Sequence, residues 1–229
     1  YVLNMCSQVG IFLLVRALVN RQQARPSLEG VLASLGIAGL SAGSTGFVDL
    51  RGVFDATGLF LLFAAMFASG SFAPSLSFLA ALFVDERACL AMPFLILWLR
   101  LEPVRKSTRA HFGAFLFWLL LRGLLAQAFG LKTPLGSNAG VGFSELVHNI
   151  HSLPLAVWQG LEGFWLLVLA SAIGLVECRR WKDLAWLFTG LTLVVAAAGA
   201  VFDQSRGTSY LAPVLPVSIT LVRQIEGAQ

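Results

Sequence analysis

Charge is what this chain has least of. Lys, Arg, Asp and Glu together make up 12% of its 229 residues, where a soluble domain carries about a quarter. That shortage excludes a disordered chain, a nucleic-acid-binding module and an ordinary soluble enzyme. Cysteine is rarer still. Cys6, Cys89 and Cys178 stand far apart, with no CxxC pair and no Cys/His group. Neither a disulfide framework nor a zinc site is indicated, and apolar buried thiols are the simplest reading. No P-loop, GxGxxG or HExxH string occurs either. ATP hydrolysis, nicotinamide chemistry and zinc proteolysis by those motifs therefore have no support.

What fills the chain instead is apolar. Hydrophobic residues make up 57% of it, and the mean hydropathy is +0.80. This composition points to an all-α, polytopic transmembrane helix bundle, one integral-membrane domain over residues 1–229. The chain starts on Tyr1, which points to processing or to a piece of a longer polypeptide. Its opening run carries Arg16 late, the reverse of a signal peptide's charged start. Nine membrane segments are expected, at roughly 1–19, 30–43, 53–69, 73–84, 88–101, 111–130, 155–176, 184–202 and 209–224. Segment 73–84 spans only about 18 Å at 1.5 Å per residue, short of a ~30 Å hydrocarbon core. It is expected to be re-entrant or surrounded by protein.

The connecting charges orient the bundle. With nine segments, Arg21, Arg25, Arg100, Arg105, Lys106, Arg109, Arg179, Arg180, Lys182 and Arg223 fall on one side, which the positive-inside rule makes cytoplasmic. The opposite side collects Asp49, Asp55, Asp85, Glu86, Glu145 and Asp203, six of the twelve carboxylates, with Arg51, Arg87, Lys132 and Arg206. On that outer side, Phe143, Leu146, Val147, Ile150 and Leu153 recur at helical spacing, which predicts an interfacial amphipathic helix.

Three constellations on this face bear chemistry. Asp85-Glu86-Arg87 interrupts an otherwise apolar run. Its carboxylates suit a general base or metal ligand and Arg87 an anion such as phosphate. The plainer reading is a turn in which Asp85 caps the next helix and Arg87 closes a local ion pair. Asp203 and Arg206 lie three apart before a Pro-containing last helix; Arg206 suits a phosphate that Asp203 orients, or the two form an interfacial ion pair. Asp49, Arg51 and Asp55 precede a membrane helix that Asp55 or Thr57 could simply cap. Glu145, His148 and His151 spread over about 120° of a helix, too wide to close readily on one metal, so no metal site is expected. Arg122 sits mid-segment and needs a carboxylate or a cavity, with Glu162 a plausible partner. The six Trp residues mostly flank segment ends, as interfacial belts do.

Three passages carry a resemblance: Val53-Phe-Asp55-Ala-Thr-Gly-Leu59, the Asp85-Glu-Arg-Ala-Cys-Leu-Ala-Met-Pro93 passage, and Phe202-Asp203-Gln-Ser-Arg206 leading into the last helix. Together they resemble bacterial polytopic membrane proteins of the GT-C-like glycosyltransferase and polysaccharide-assembly type. The resemblance implies a bacterial cytoplasmic membrane, a lipid-phosphate-linked sugar donor and an extracytoplasmic site. Asp85, Glu86, Asp55 or Asp49 would supply the catalytic carboxylate, and Arg87, Arg206 and Asp203 would hold the phosphate. No cofactor is identified, and no nucleic-acid partner is expected. Two alternatives stay open. One is a non-catalytic subunit packed among other membrane subunits, its Ala/Gly-rich stretches allowing close helix contact. The other is a small transporter with Asp85, Arg122 and Glu162 inside the membrane.

Overall fold

The computed structural model describes residues 2–22, 28–40, 55–68, 70, 72–102, 108–130, 142–201 and 204–226, except the side chains of 20–22, 28–29, 55 and 205–206. Among the described residues, every regular element is helical. In chain order these are α1 (Val2–Gln22), α2 (Leu28–Ala38), α3 (Asp55–Phe67), α4 (Phe72–Val84), a 3-10 turn (Glu86–Ala91), α5 (Met92–Leu101) and α6 (Thr108–Phe129). Then follow α7 (Phe143–Asn149), α8 (Leu153–Leu161), α9 (Trp165–Glu177), α10 (Trp181–Gly199), α11 (Gln204–Thr208), a 3-10 turn (Ser209–Leu211) and α12 (Val214–Glu226).

Among the described residues, four stretches are long and apolar enough to cross a membrane: Val2–Val19, Thr108–Phe129, Leu153–Glu177 and Trp181–Gly199. The other expected segments are shorter helices. Helices α3 and α4 have 13 residues each, about 20 Å of rise, and fall short of a ~30 Å core alone. The stretch expected as one helix over 155–176 is interrupted. Glu162 takes φ 49°, a conformation costly to a side chain, and the 3-10 turn Glu162–Phe164 separates α8 from α9. The Trp165 indole donates to the Val157 carbonyl at 3.0 Å, holding the two pieces together. The expected amphipathic helix is also cut short. It ends at Asn149, whose amide donates to the carbonyls of Gly199 (3.0 Å) and Val201 (2.8 Å). The expected apolar face divides: Leu146 and Leu153 turn inward onto Gly199 of α10, while Phe143, Val147 and Ile150 stay exposed.

The helices pack in two groups. In one, α1 contacts α2 and α3, α3 contacts α4, and α4 contacts α6. In the other, α5 packs on α10 and α12, α9 on α10 and α12, and α11 on α8 and α10. The turn Glu86–Ala91 touches α3, α4, α10 and the Ser209–Leu211 turn, and so sits where the groups meet. Pro93 enters α5 in its first turn, where a missing N–H costs nothing. Trp98 ties the groups together: its indole donates to the Met66 carbonyl at 2.6 Å, and its ring meets Phe67 edge-on at 5.3 Å.

The two ends of the bundle differ in chemistry. At the end where α5 finishes and α10 begins, Asp183 accepts from Arg100 Nε and Arg180 Nε, each at 2.9 Å. Gln224 of α12 joins them, accepting from Arg180 at 3.1 Å and donating to the Leu101 carbonyl at 3.3 Å. The opposite end carries Asp85, Glu86 and Arg87.

Candidate functional site

The site begins with a helix stop. Asp85 follows α4 with an extended backbone (φ −148°, ψ 118°), so its side chain swings over the start of the next turn. Its Oδ1 accepts from the Arg87 backbone N–H at 2.9 Å, the cap of the 3-10 turn. The same carboxylate takes the Arg87 guanidinium in a fork: Nε lies 3.0 Å from Oδ1 and 3.1 Å from Oδ2, and Nη2 2.5 Å from Oδ2. A residue that caps backbone and binds a guanidinium at once is fixed in orientation. Both side chains are largely withdrawn from solvent, at 10% exposure for Asp85 and 20% for Arg87.

Burial alone would raise the Asp85 carboxyl; the Arg87 hydrogen bonds and charge, helped by the Tyr210 hydroxyl, more than offset it and hold the pKa below the usual carboxylate range. Asp85 is thus a firm anion and a weak base. Its geometry makes it a residue that positions Arg87.

Tyr210, in the Ser209–Leu211 turn, forms the floor. It is fully buried, and the Arg87 guanidinium carbon lies 5.7 Å from its ring centroid, within cation–π range. Gly58 of α3 closes the third side. A Cβ there would stand 3.1 Å from the Tyr210 hydroxyl and 3.8 Å from Asp85 Cβ. Without a side chain, Gly58 lets α3 come this close without pressing on the Tyr210 hydroxyl. One residue earlier, Thr57 bonds Asn4 and Ser7 of α1, each at 3.2 Å, and carries a polar seam to the same spot.

Beside this lies a second pair. Glu86 forms an ion pair with Arg122 of α6, whose guanidinium carbon lies 5.9 Å from the Trp118 ring centroid. The sequence suggested Glu162 as the partner of Arg122. The structure corrects this: Glu162 sits exposed in the turn between α8 and α9, whereas Glu86 is brought over by the end of α4, which packs on α6.

The remaining expected residues divide as follows. Asp49 and Asp203 lie outside the described residues. Asp55 starts α3, three residues before Gly58, and Arg206 lies in α11, four before Tyr210; the side chains of both are outside the described set. Gly207, next to Arg206, seats α11 directly on α10, since a Cβ there would be 2.7 Å from Ala198 Cα. Among the described residues no group of His, Cys, Asp and Glu is arranged to hold a metal ion.

Sequence reasoning missed Tyr210 and Gly58 as parts of this assembly. One signal for Tyr210 was available: it is one of only two tyrosines in the chain, and it follows a charged turn. Gly58 had none, because a contact glycine and a turn glycine look alike in sequence.

No protein-family model, no curated protein and no solved structure matches this chain.

Proposed function

We propose that this chain acts on a lipid-linked phosphate substrate at the membrane, as a GT-C-like glycosyltransferase or polysaccharide-assembly protein. One observation carries the reading. Gly58 of the first passage and Arg87 of the second both meet Tyr210, which stands four residues after Arg206 in the chain. Residues 58 and 210 are brought together only by the fold, and they lie beside the half-buried Arg87 guanidinium at the end of short helices. In this reading nine segments cross or enter a bacterial cytoplasmic membrane. The Asp85 end is extracytoplasmic and the Arg100–Asp183 end cytoplasmic.

Arg87, oriented by Asp85, and Arg206 hold the donor's phosphate. Glu86, Asp55 or Asp49 takes the proton of the acceptor hydroxyl as its oxygen attacks the anomeric carbon and the bond to phosphate breaks. The test is sugar release or transfer from prenyl-phosphate-linked sugars by the protein in nanodiscs. Arg87→Ala is expected to lower turnover by about 10²–10³, the typical cost of losing one donor to a developing anion, with the elution profile unchanged. A chain inert towards a panel of such donors overturns the reading.

A second reading rests on the ion pairs themselves. Asp85–Arg87 and Glu86–Arg122 satisfy one another, as they would in a non-catalytic subunit of a larger membrane complex. In that case Arg87→Ala lowers the amount of assembled protein in the membrane, and no donor is turned over.

A further inference from the structure

Arg122 stands apart from the other charged residues of the break. It lies on α6, the outermost of the long helices. Only 6% of the apolar window of α6 is buried, against 33% for each of the other three long stretches. Helix α6 meets the rest through a single stripe, with His111 and Trp118 buried along it. On the face of α6 that carries Arg122, Leu119 and Leu125, about one turn before and after it, are exposed. In a membrane these face acyl chains, and beside them the guanidinium stays 45% exposed while it pairs with Glu86 and lies over the Trp118 ring.

A guanidinium presents five N–H donors in a fixed fork. Glu86 is the only charged partner of Arg122 among the described residues, and a carboxylate engages two of those donors at most in a fork. At 45% exposure the guanidinium keeps donors that Glu86 does not take, and donors left unpaired in a lipid setting are costly. Arg122 lies seven residues before Phe129, about 10 Å from the helix end at 1.5 Å per residue. That is within reach of the phosphate level for a long side chain that snorkels. Phosphate oxygens are the acceptors a bilayer offers there.

We infer that Arg122 is a binding site for the phosphate of a membrane lipid, seated against α6 with its chains along the exposed leucines. Glu86 shares the guanidinium and competes with that phosphate. The site is separate from Arg87 and stands whether or not the break is catalytic.

The experiment is native mass spectrometry of the full chain from nanodiscs of phosphatidylglycerol, phosphatidylethanolamine or phosphatidylglycerol diluted with diacylglycerol. The wild type is expected to retain one phospholipid through delipidation and no diacylglycerol. Arg122→Gln is expected to lose that lipid about tenfold more readily, and Arg122→Lys to keep part of the retention. Glu86→Gln is expected to retain the lipid as well as or better than wild type, because it removes the competitor. A purely structural ion pair would make Arg122→Gln and Glu86→Gln alike, and that result overturns the inference. So does equal retention of diacylglycerol. Release of the lipid by millimolar inorganic phosphate would mean that the site takes free phosphate, and overturns the lipid assignment. If Arg122→Gln does not fold, the comparison of wild type with Glu86→Gln decides: undiminished retention supports the site, and loss overturns it.

Discussion

Gly58→Ala tests the meeting point at the level of single atoms. The added methyl would lie 3.1 Å from the Tyr210 hydroxyl and 3.7 Å from Val84 Cγ1. The second distance is ordinary contact; the first is tight, and the fully buried Tyr210 has little room to retreat. Overpacking of this kind costs about 1–3 kcal/mol. Against it, alanine in a helix interior is favoured over glycine by about 1 kcal/mol. The net expectation is a loss of roughly 0–2 kcal/mol, a range that a single variant resolves poorly. The double variant resolves it better. In Tyr210→Phe the clashing oxygen is gone, so Gly58→Ala should become neutral or stabilising by up to about 1 kcal/mol. The coupling of the two changes should therefore be about 1–3 kcal/mol, the size found for residues in direct contact. Thermal or denaturant unfolding of the four proteins in one detergent measures it. If Gly58→Ala costs as much in the Tyr210→Phe background as in the wild type, α3 and the Ser209–Leu211 turn do not meet here.

Asp85→Asn keeps a good capping side chain and removes only the charge, so its cost at pH 7 should be about 1–3 kcal/mol. The sign follows from the lowered pKa. A carboxyl held below its unfolded value of 3.8 contributes stability above that pH and loses it as the pH falls through the folded value. The gap between wild type and Asp85→Asn should stay flat from pH 7 to about 5 and close only below 3.8; a gap that already narrows between pH 7 and 5 would contradict the Asp85–Arg87 fork. Sidedness is open to cysteine labelling. Lys106→Cys and Lys132→Cys, on opposite faces in the nine-segment arrangement, should react from opposite sides of the membrane; reaction from one side defeats that arrangement.

Element type was the most readable part of the sequence. Long apolar runs can satisfy their backbone in a membrane only as helices, so α6 and α10 followed closely from composition. Helix interruptions were harder. Nothing in Leu161-Glu162-Gly163 distinguishes a break from a continuing apolar helix, and only packing around Trp165 and Val157 selects it. At the site, Asp85 and Arg87 were legible because a charged triplet within an apolar run must cap, pair or bind something. The partner of Arg122 was not legible. Glu86 and Glu162 are equally plausible on paper, and the choice depends on which helix end α6 lies against. Asp183 was hidden among neighbouring cations, although Arg180 three residues before it offered a standard helical pair.

The Asp183 tie gives the molecule one stiff end. A buried acid that holds Arg100 of α5 and Arg180 of α10, with Gln224 of α12 fastened beside them, leaves these three helices little freedom to slide where they join. Any relative motion between them must then pivot near that tie and grow along their length. From Asp183 to Gly199, α10 runs about 24 Å at 1.5 Å per residue. A tilt of about 5° therefore moves its far end by about 2 Å over that length. The far end is where α10 carries α7 and α11 and meets the turn beneath Arg87. A displacement of that size is enough to break a hydrogen bond. A tilt about the Asp183 tie is therefore felt most at the end that carries Asp85 and Arg87.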